Sequence, residues 1–402
     1  MRLRNTLLDN LELAARGPQR RFSVLPELDS RALSLASAGG ELSPLRPAST
    51  SPASRVLLLL AAAFILLSPR RAQAANLFSS TNAARSRVVL VQDPAATDAF
   101  EPRPGVIRDM VARAITHLTG KINPAEAWRA VLSTNGLAPT NQVIGIKVLS
   151  EPGPNSGTRP AVVAAVVEGL LAAGVPPKHI IVWDRQAYHL RLAGFFDFAD
   201  RYGIRVASSA EAGYDEQTFY DTALIGNLVW GDLEFGRKGP GVGRKSFVSK
   251  LVSQEMTKII NITPMLNHNL AGVSGNLYSL ALGSVDNVVR FESDADRLAT
   301  AVPEIYALPA LSDRVVLNIT DALVCQYLGS ERGLLHYSDT LNQLRFSRDP
   351  VALDVLSLKE LDRQRQAAKA PDIKPNLDLY NNAALLELGV SDPKNIQIDT
   401  VP

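Results

Sequence analysis

Residues 143–184 constrain the fold of this chain more than any other stretch. They read VIGIKVLSEPGPNSGTRPAVVAAVVEGLLAAGVPPKHIIVWD. A short apolar run, VIGIKV, leads into a loop rich in Pro, Gly, Asn and Ser. The next apolar residues, Val162, Val163, Val166, Val167, Leu170 and Leu171, recur at helical spacing. Gly174 stands where a helix C-terminus favours a residue tolerant of positive φ. After Pro176 and Pro177 comes a second apolar run, HIIVWD. Strand, helix and strand in this order predict a parallel pair with a right-handed crossover. Open parallel sheets place ligands beyond the carboxyl ends of their strands. Here those ends carry Lys147, the loop to Thr158, and Asp184.

The rest of the chain repeats the alternation. Strands are expected over 87–92, 204–207, 258–262 and 314–319, the last ending in Thr320 and Asp321. Helices are expected over 106–118, 125–132, 190–202, 247–256 and 379–388, and a further one opens at Asp349-Pro350. The fold class is therefore α/β, a mostly parallel central sheet with helices on both faces. Residues 208–245 form an irregular insert. Its Gly236, Gly239, Gly241 and Gly243 alternate with basic residues, a pattern that suits a hairpin or excursion better than a phosphate cradle.

Composition narrows the class. Hydrophobic residues are 46% of the 402, enough for a packed core, and the formal charge of +2 gives no nucleic-acid footprint. The single cysteine, Cys325, excludes an internal disulfide and an iron–sulfur cluster held by this chain alone, and reads as a buried thiol. Residues 1–54 read as a disordered extension. Arg55, the apolar run VLLLLAAAFILL and Ala72-Gln73-Ala74 make residues 55–74 resemble a secretory signal. The expectation is export to the periplasm or beyond, with a membrane anchor if the segment stays uncleaved. A start codon nearer Arg55 is a second expectation, because the preceding segment is long for a signal. A single α/β domain should occupy 86–400.

Candidate site residues follow from element ends. Lys147 suits anion binding or base catalysis if it points into the crevice, and a surface role if it snorkels. Thr158 reads first as a helix cap, beside Asn155 and Arg159 as ligand contacts. Asp184 has Arg185 and His189 as neighbours for pairing or a shared metal. His268, expected in a loop after the 258–262 strand, is the histidine best placed for proton transfer or metal binding. Asn287 joins the ligand contacts. Asp184, His268 and Asp321 are the metal set, if any. Asp349 reads as a helix N-cap, and Asp354 as a solvated carboxylate on the outer face of the same helix. Hydrolase elbows and His-Glu-x-x-His motifs do not occur in the sequence.

Five pieces in order resemble the domain of unknown function 362 family. They are IKV at 146–148, GTRPAVVAAVVEGLLAAGV from Gly157, VWDR from Val182, KIINITPMLNHNLAGVSG from Lys258 and SRDPVALD from Ser347. AALLELGVSD, from Ala383, also fits. The resemblance spans roughly residues 86–400. It implies an α/β fold, sometimes exported and sometimes fused to an iron–sulfur module, and no established reaction. The family usually carries a lysine shortly before the histidine that matches His268, where Leu266-Asn267 stand here. A Lys-Asn pair is also common where this chain has Tyr278-Ser279. Losing two cations should weaken anion binding. The leading expectation is an exported protein binding a small anionic ligand or cofactor of unknown identity, with redox or proton-transfer chemistry. The alternatives are a non-catalytic binding protein and a metal-assisted enzyme.

Overall fold

The computed structural model describes residues 85–133, 141–330 and 332–401. The N-terminal extension and the signal-like segment lie outside the described residues. Among the described residues no helix is long and apolar enough to cross a membrane.

Eight strands build the main sheet: β1 (Ser86–Gln92), β2 (Ile144–Val148), β3 (Ile180–Asp184), β4 (Arg205–Ser208), β5 (Lys258–His268), β6 (Val315–Gln326), β7 (Ser338–Ser347) and β8 (Ile396–Val401). Their order is β8-β1-β7-β6-β5-β2-β3-β4, and a two-residue strand, Gly272–Val273, folds back on the end of β5. Of the eight, only β7 runs antiparallel to its neighbours. Period-two alternation sorts the strand side chains. Ile144, Ile146, Ile180, Val182, Ile260 and Ile262 enter one core. Helices α1 (Pro104–Thr119), α2 (Pro124–Leu132) and α3 (Pro160–Ala172) cover it. Ile181, Trp183 and Ile259 enter the other. That face is covered by α4 (Asn276–Ser284), α5 (Ala295–Tyr306), α6 (Pro350–Ala367) and α7 (Asp378–Leu385). The expected α/β architecture is thus present, and the 143–184 unit forms as read, with Gly174 at φ 93°.

Several local expectations change. Strands β7 and β8 were not anticipated: β7, SDTLNQLRFS, buries its residues without a clean alternation, and β8 is a half-exposed edge. The 190–202 helix is two short helices, Ala187–Leu192 and Asp197–Tyr202, separated at Gly194 with φ 83°. The insert is anchored by a hairpin, Tyr214–Asp221 paired with Lys245–Ser249. The helix expected over 247–256 is therefore strand first and then a single wide turn, Leu251–Glu255. Phe247 is drawn into the ladder because its ring packs edge-on against Phe219 and its N–H donates to Asp286. Cys325 is buried, which pushes its thiol up to about 12. The C-terminal helix, expected over 379–388, ends earlier, at Leu385.

Asp354 is the largest correction. It is not solvated but 1% exposed. Its Oδ1 accepts from the Asn276 N–H at 2.7 Å and the Asn276 amide at 3.0 Å, and its Oδ2 from the Leu277 N–H at 2.9 Å. A carboxyl from α6 thereby caps α4, whose own N-cap residue, Gly275, has no side chain to do so. The glycine is required, since a Cβ there would fall 2.3 Å from the Asp354 oxygen. An isolated helix wheel cannot foresee this, because the partner N–H groups lie 78 residues away.

Burial pushes the Asp354 carboxyl up to about 7, above its unfolded value of about 3.9. The protonated group thus contributes stability fully below about pH 4, and that contribution is lost as pH rises through about 7. Equilibrium urea unfolding at several pH values should show wild type losing stability relative to Asp354→Asn across this window. Asp354→Ala should cost about 3 kcal/mol by stranding two buried backbone donors.

Candidate functional site

Beyond the C-terminal ends of β2, β3 and β5 lies a cavity of about 320 Å³. Lys147, Asp184 and His268, far apart in sequence, all line it. Lys147 is the fourth residue of β2 and faces away from Ile146 and Val148, so it projects toward α4 beside Trp183 of β3 and Asn261 of β5. It is fully buried, which excludes a snorkelling role. Its three ammonium donors are all used: 2.8 Å to Asp184 Oδ1, 2.7 Å to the Val148 carbonyl and 3.1 Å to Ser279 Oγ. Gly283, one turn beyond Ser279 on α4, provides the room. A Cβ there would sit 2.2 Å from Lys147 Cε.

Asp184 is equally committed. Its Oδ2 accepts from the Ser150 N–H at 2.8 Å and hydroxyl at 2.6 Å, and its Oδ1 from the Arg185 N–H at 2.8 Å as well as from Lys147. Burial alone would raise this carboxyl, but the Lys147 charge and these hydrogen bonds hold it below the usual carboxylate range. His268 is the last residue of β5 rather than a loop residue. Its Nδ1 accepts from the Ala271 N–H at 3.0 Å and the Leu270 N–H at 3.3 Å. Two donors on Nδ1 require a lone pair there, which fixes the Nε2–H tautomer. The ring packs on Tyr278 with centroids 4.5 Å apart. Arg185, paired with Glu292 at 3.3 Å, Leu149, Glu151, Gln186, His189 and Leu282 complete the lining.

The other sequence candidates sit elsewhere. Thr158 is not a cap: its hydroxyl accepts from the Leu149 N–H and donates to the Ile262 carbonyl, tying β2's exit to β5. Arg159 occupies the N-cap position of α3, and its N–H and guanidinium both meet Asp321, at 3.1 and 3.2 Å. Asp321 thereby pairs with Arg159 at that helix start, and it does not line the cavity of Lys147, Asp184 and His268. Asn155 and Arg159 border a separate cavity of about 270 Å³. Asn287 holds the insert, donating to the carbonyls of Gly243 and Lys245 at 2.9 Å each. The metal set of Asp184, His268 and Asp321 is not assembled, and among the described residues no three His, Cys, Asp or Glu side chains are grouped to hold a metal ion.

A family profile described as domain of unknown function (DUF362) matches residues 143–359, more than half of the chain. The protein belongs to this family. No curated protein matches the chain. Among solved structures, a structural-genomics crystal structure of a protein from Thermotoga maritima is similar at a TM-score of 0.32 and 10% identity. The alignment covers 56% of this chain and 51% of that one, so this chain spans about half of its length.

In this DUF362 member the family's departures acquire places. Ser279 accepts from Lys147, and Tyr278 packs on His268. Where a lysine was expected before His268, Leu266 is fully buried and the Asn267 amide oxygen accepts from Arg365 of α6 at 3.1 Å. Tyr278, Ser279, Leu282 and Gly283 drew no attention from periodicity. Their signal was the spacing: Ser279 and Gly283 are small residues four apart on a buried helix, which is how α4 makes room for a side chain from the sheet.

Lys147→Met should cost about 3–5 kcal/mol in urea unfolding, because it leaves Asp184 buried and uncompensated. Lys147→Met with Asp184→Leu should recover much of that loss. Asp184's folded value lies below its unfolded one, so its contribution is present above about pH 4 and lost as pH falls through the folded value. Lys147→Met should therefore flatten the acid limb of the stability curve.

Proposed function

We propose that this DUF362 member binds a small polar ligand in the cavity bordered by Lys147, Asp184 and His268, without using those groups for turnover. The observation that carries this reading is saturation. All three ammonium donors of Lys147 and both oxygens of Asp184 are occupied by protein groups, and His268 Nδ1 already accepts two N–H bonds. Protonating that nitrogen would set an N–H against two others. Such groups shape a pocket; they are poorly placed to move protons.

The lining also bears on ligand charge. Lys147 and Arg185 face three carboxylates, Glu151, Asp184 and Glu292. The expectation of an anion rested on Lys147 being available, and here Asp184 neutralises it. A ligand without net negative charge suits this balance better. Its size is bounded by about 320 Å³, the lower end of small-molecule sites. Export remains part of the proposal through the signal-like residues 55–74, and fractionation of the native host would test it.

Native mass spectrometry of the full chain should show a retained small-molecule adduct. Leu282→Trp, which fills the cavity from α4, should abolish it while leaving the circular dichroism spectrum unchanged. Failure of wild type to retain any adduct, together with no thermal shift from neutral or cationic polar compounds at millimolar concentration, would refute the binding reading. Measurable turnover lost in His268→Ala would refute its non-catalytic part.

A further inference from the structure

The insert carries a surface that the cavity does not explain. Of the thirteen exposed large hydrophobics in the described residues, four fall between positions 225 and 235. Ile225 is 65% exposed, Val229 39%, Trp230 88% and Phe235 48%; the next group, Leu377, Leu385 and Leu386, carries no aromatic. Trp230 and Phe235 pack edge-on with centroids 6.0 Å apart, so the two rings form one apolar projection.

Charge in this segment is sorted. Across 222–245 every exposed charged residue is basic: Arg237, Lys238 and Arg244. The two acids are turned inward. Asp232 is buried and accepts from the Val229 and Asn287 N–H groups, and Glu234 accepts from the Gly243 N–H. Arg237 and Arg244 do meet Glu216 and Asp221 of the hairpin, at 3.2 and 3.5 Å. Both are exposed pairs of the kind that contributes little and re-pairs readily. Gly231, Gly236, Gly239 and Gly241 all have positive φ and open space where a Cβ would stand, so this part of the loop projects clear of the protein.

We infer that the tip of the insert docks on a lipid surface bearing anionic headgroups. The projection presents two aromatics packed edge to face. It matches the bilayer interface, where aromatic bodies enter the acyl boundary and the Trp N–H stays among headgroups. Arg237 and Lys238, two and three residues after Phe235, add attraction that depends on anionic lipid. The base of the insert is firm: Asn287 and the buried Arg290 bind the backbone at Gly243, Lys245, Arg244 and Leu224. A lipid-facing tip on a rigid base leaves the sheet and its cavity undisturbed.

Trp230 supplies a site-specific readout, because Trp128 and Trp183 are 1% and 0% exposed. The full chain is mixed with vesicles of phosphatidylcholine alone or with phosphatidylglycerol, and acrylamide quenching of tryptophan emission is measured. Phosphatidylglycerol vesicles should shift emission to the blue and reduce quenching at least about twofold, with a weaker effect on phosphatidylcholine. Trp230→Phe should remove the quenching change. Lys238→Glu with Arg237→Glu should remove the preference for anionic lipid. If the vesicles bind the chain but Trp230 quenching stays unchanged, another segment holds the membrane and the inference fails. It fails equally if neither vesicle type alters quenching, or if the charge reversals leave the lipid preference intact.

Discussion

An ammonium group with no water around it must be given three acceptors and a counter-charge, and the architecture around Lys147 follows from that requirement. Asp184 supplies the charge from the neighbouring strand, Val148 a carbonyl from its own, and Ser279 a hydroxyl from the covering helix. Asp184 in turn needs the Ser150 and Arg185 donors at the β2 and β3 ends. One ion pair therefore couples two strand ends, the loop after β2 and helix α4. Exchange of any partner leaves a buried charge short of solvation, so the geometry of the cavity floor is determined by satisfaction of polar groups more than by apolar packing.

Helix α4 depends on a second buried carboxyl. It has almost no polar face, with all nine residues buried, and its N-terminus opens on glycine. Asp354 of α6 completes it across the core. The helix that provides Tyr278, Ser279, Leu282 and Gly283 to the cavity is thus held at its start by one acid and met midway by the partner of another. Asp354 does not look unusual in sequence, and Asp184 stands out only as a strand-end candidate. Both become unusual because the sheet brings residues from opposite ends of the chain to one face.

The insert follows different physics. Asp286, Asn287 and Arg290 serve as a bracket for its two strands, satisfying backbone groups that a long excursion would otherwise expose. Held at its base, the loop can keep its acids inward and its aromatics outward. Asn287 was expected from sequence to be a ligand contact beside Asp286. The structure shows it serving the backbone, a common use of Asn at a positive-φ position.

Alternating apolar runs and helical spacing determined the α/β class, the parallel 143–184 unit and the end of the sheet where a cavity forms. These are local or nearest-neighbour properties, carried by which face of each element is apolar. Strand ends placed Lys147 and Asp184 at one crevice, while His268 was expected in a loop and joins them because its strand runs on to residue 268. Tertiary structure decided what those residues are free to do. Whether a lysine is available, whether Asp354 meets water or a helix start, and whether Asp321 faces a ligand or Arg159 all depend on donors and acceptors arriving from distant sequence. A polar side chain's role is set by its partners, and partners 78 or 162 residues away leave no trace in the periodicity around it.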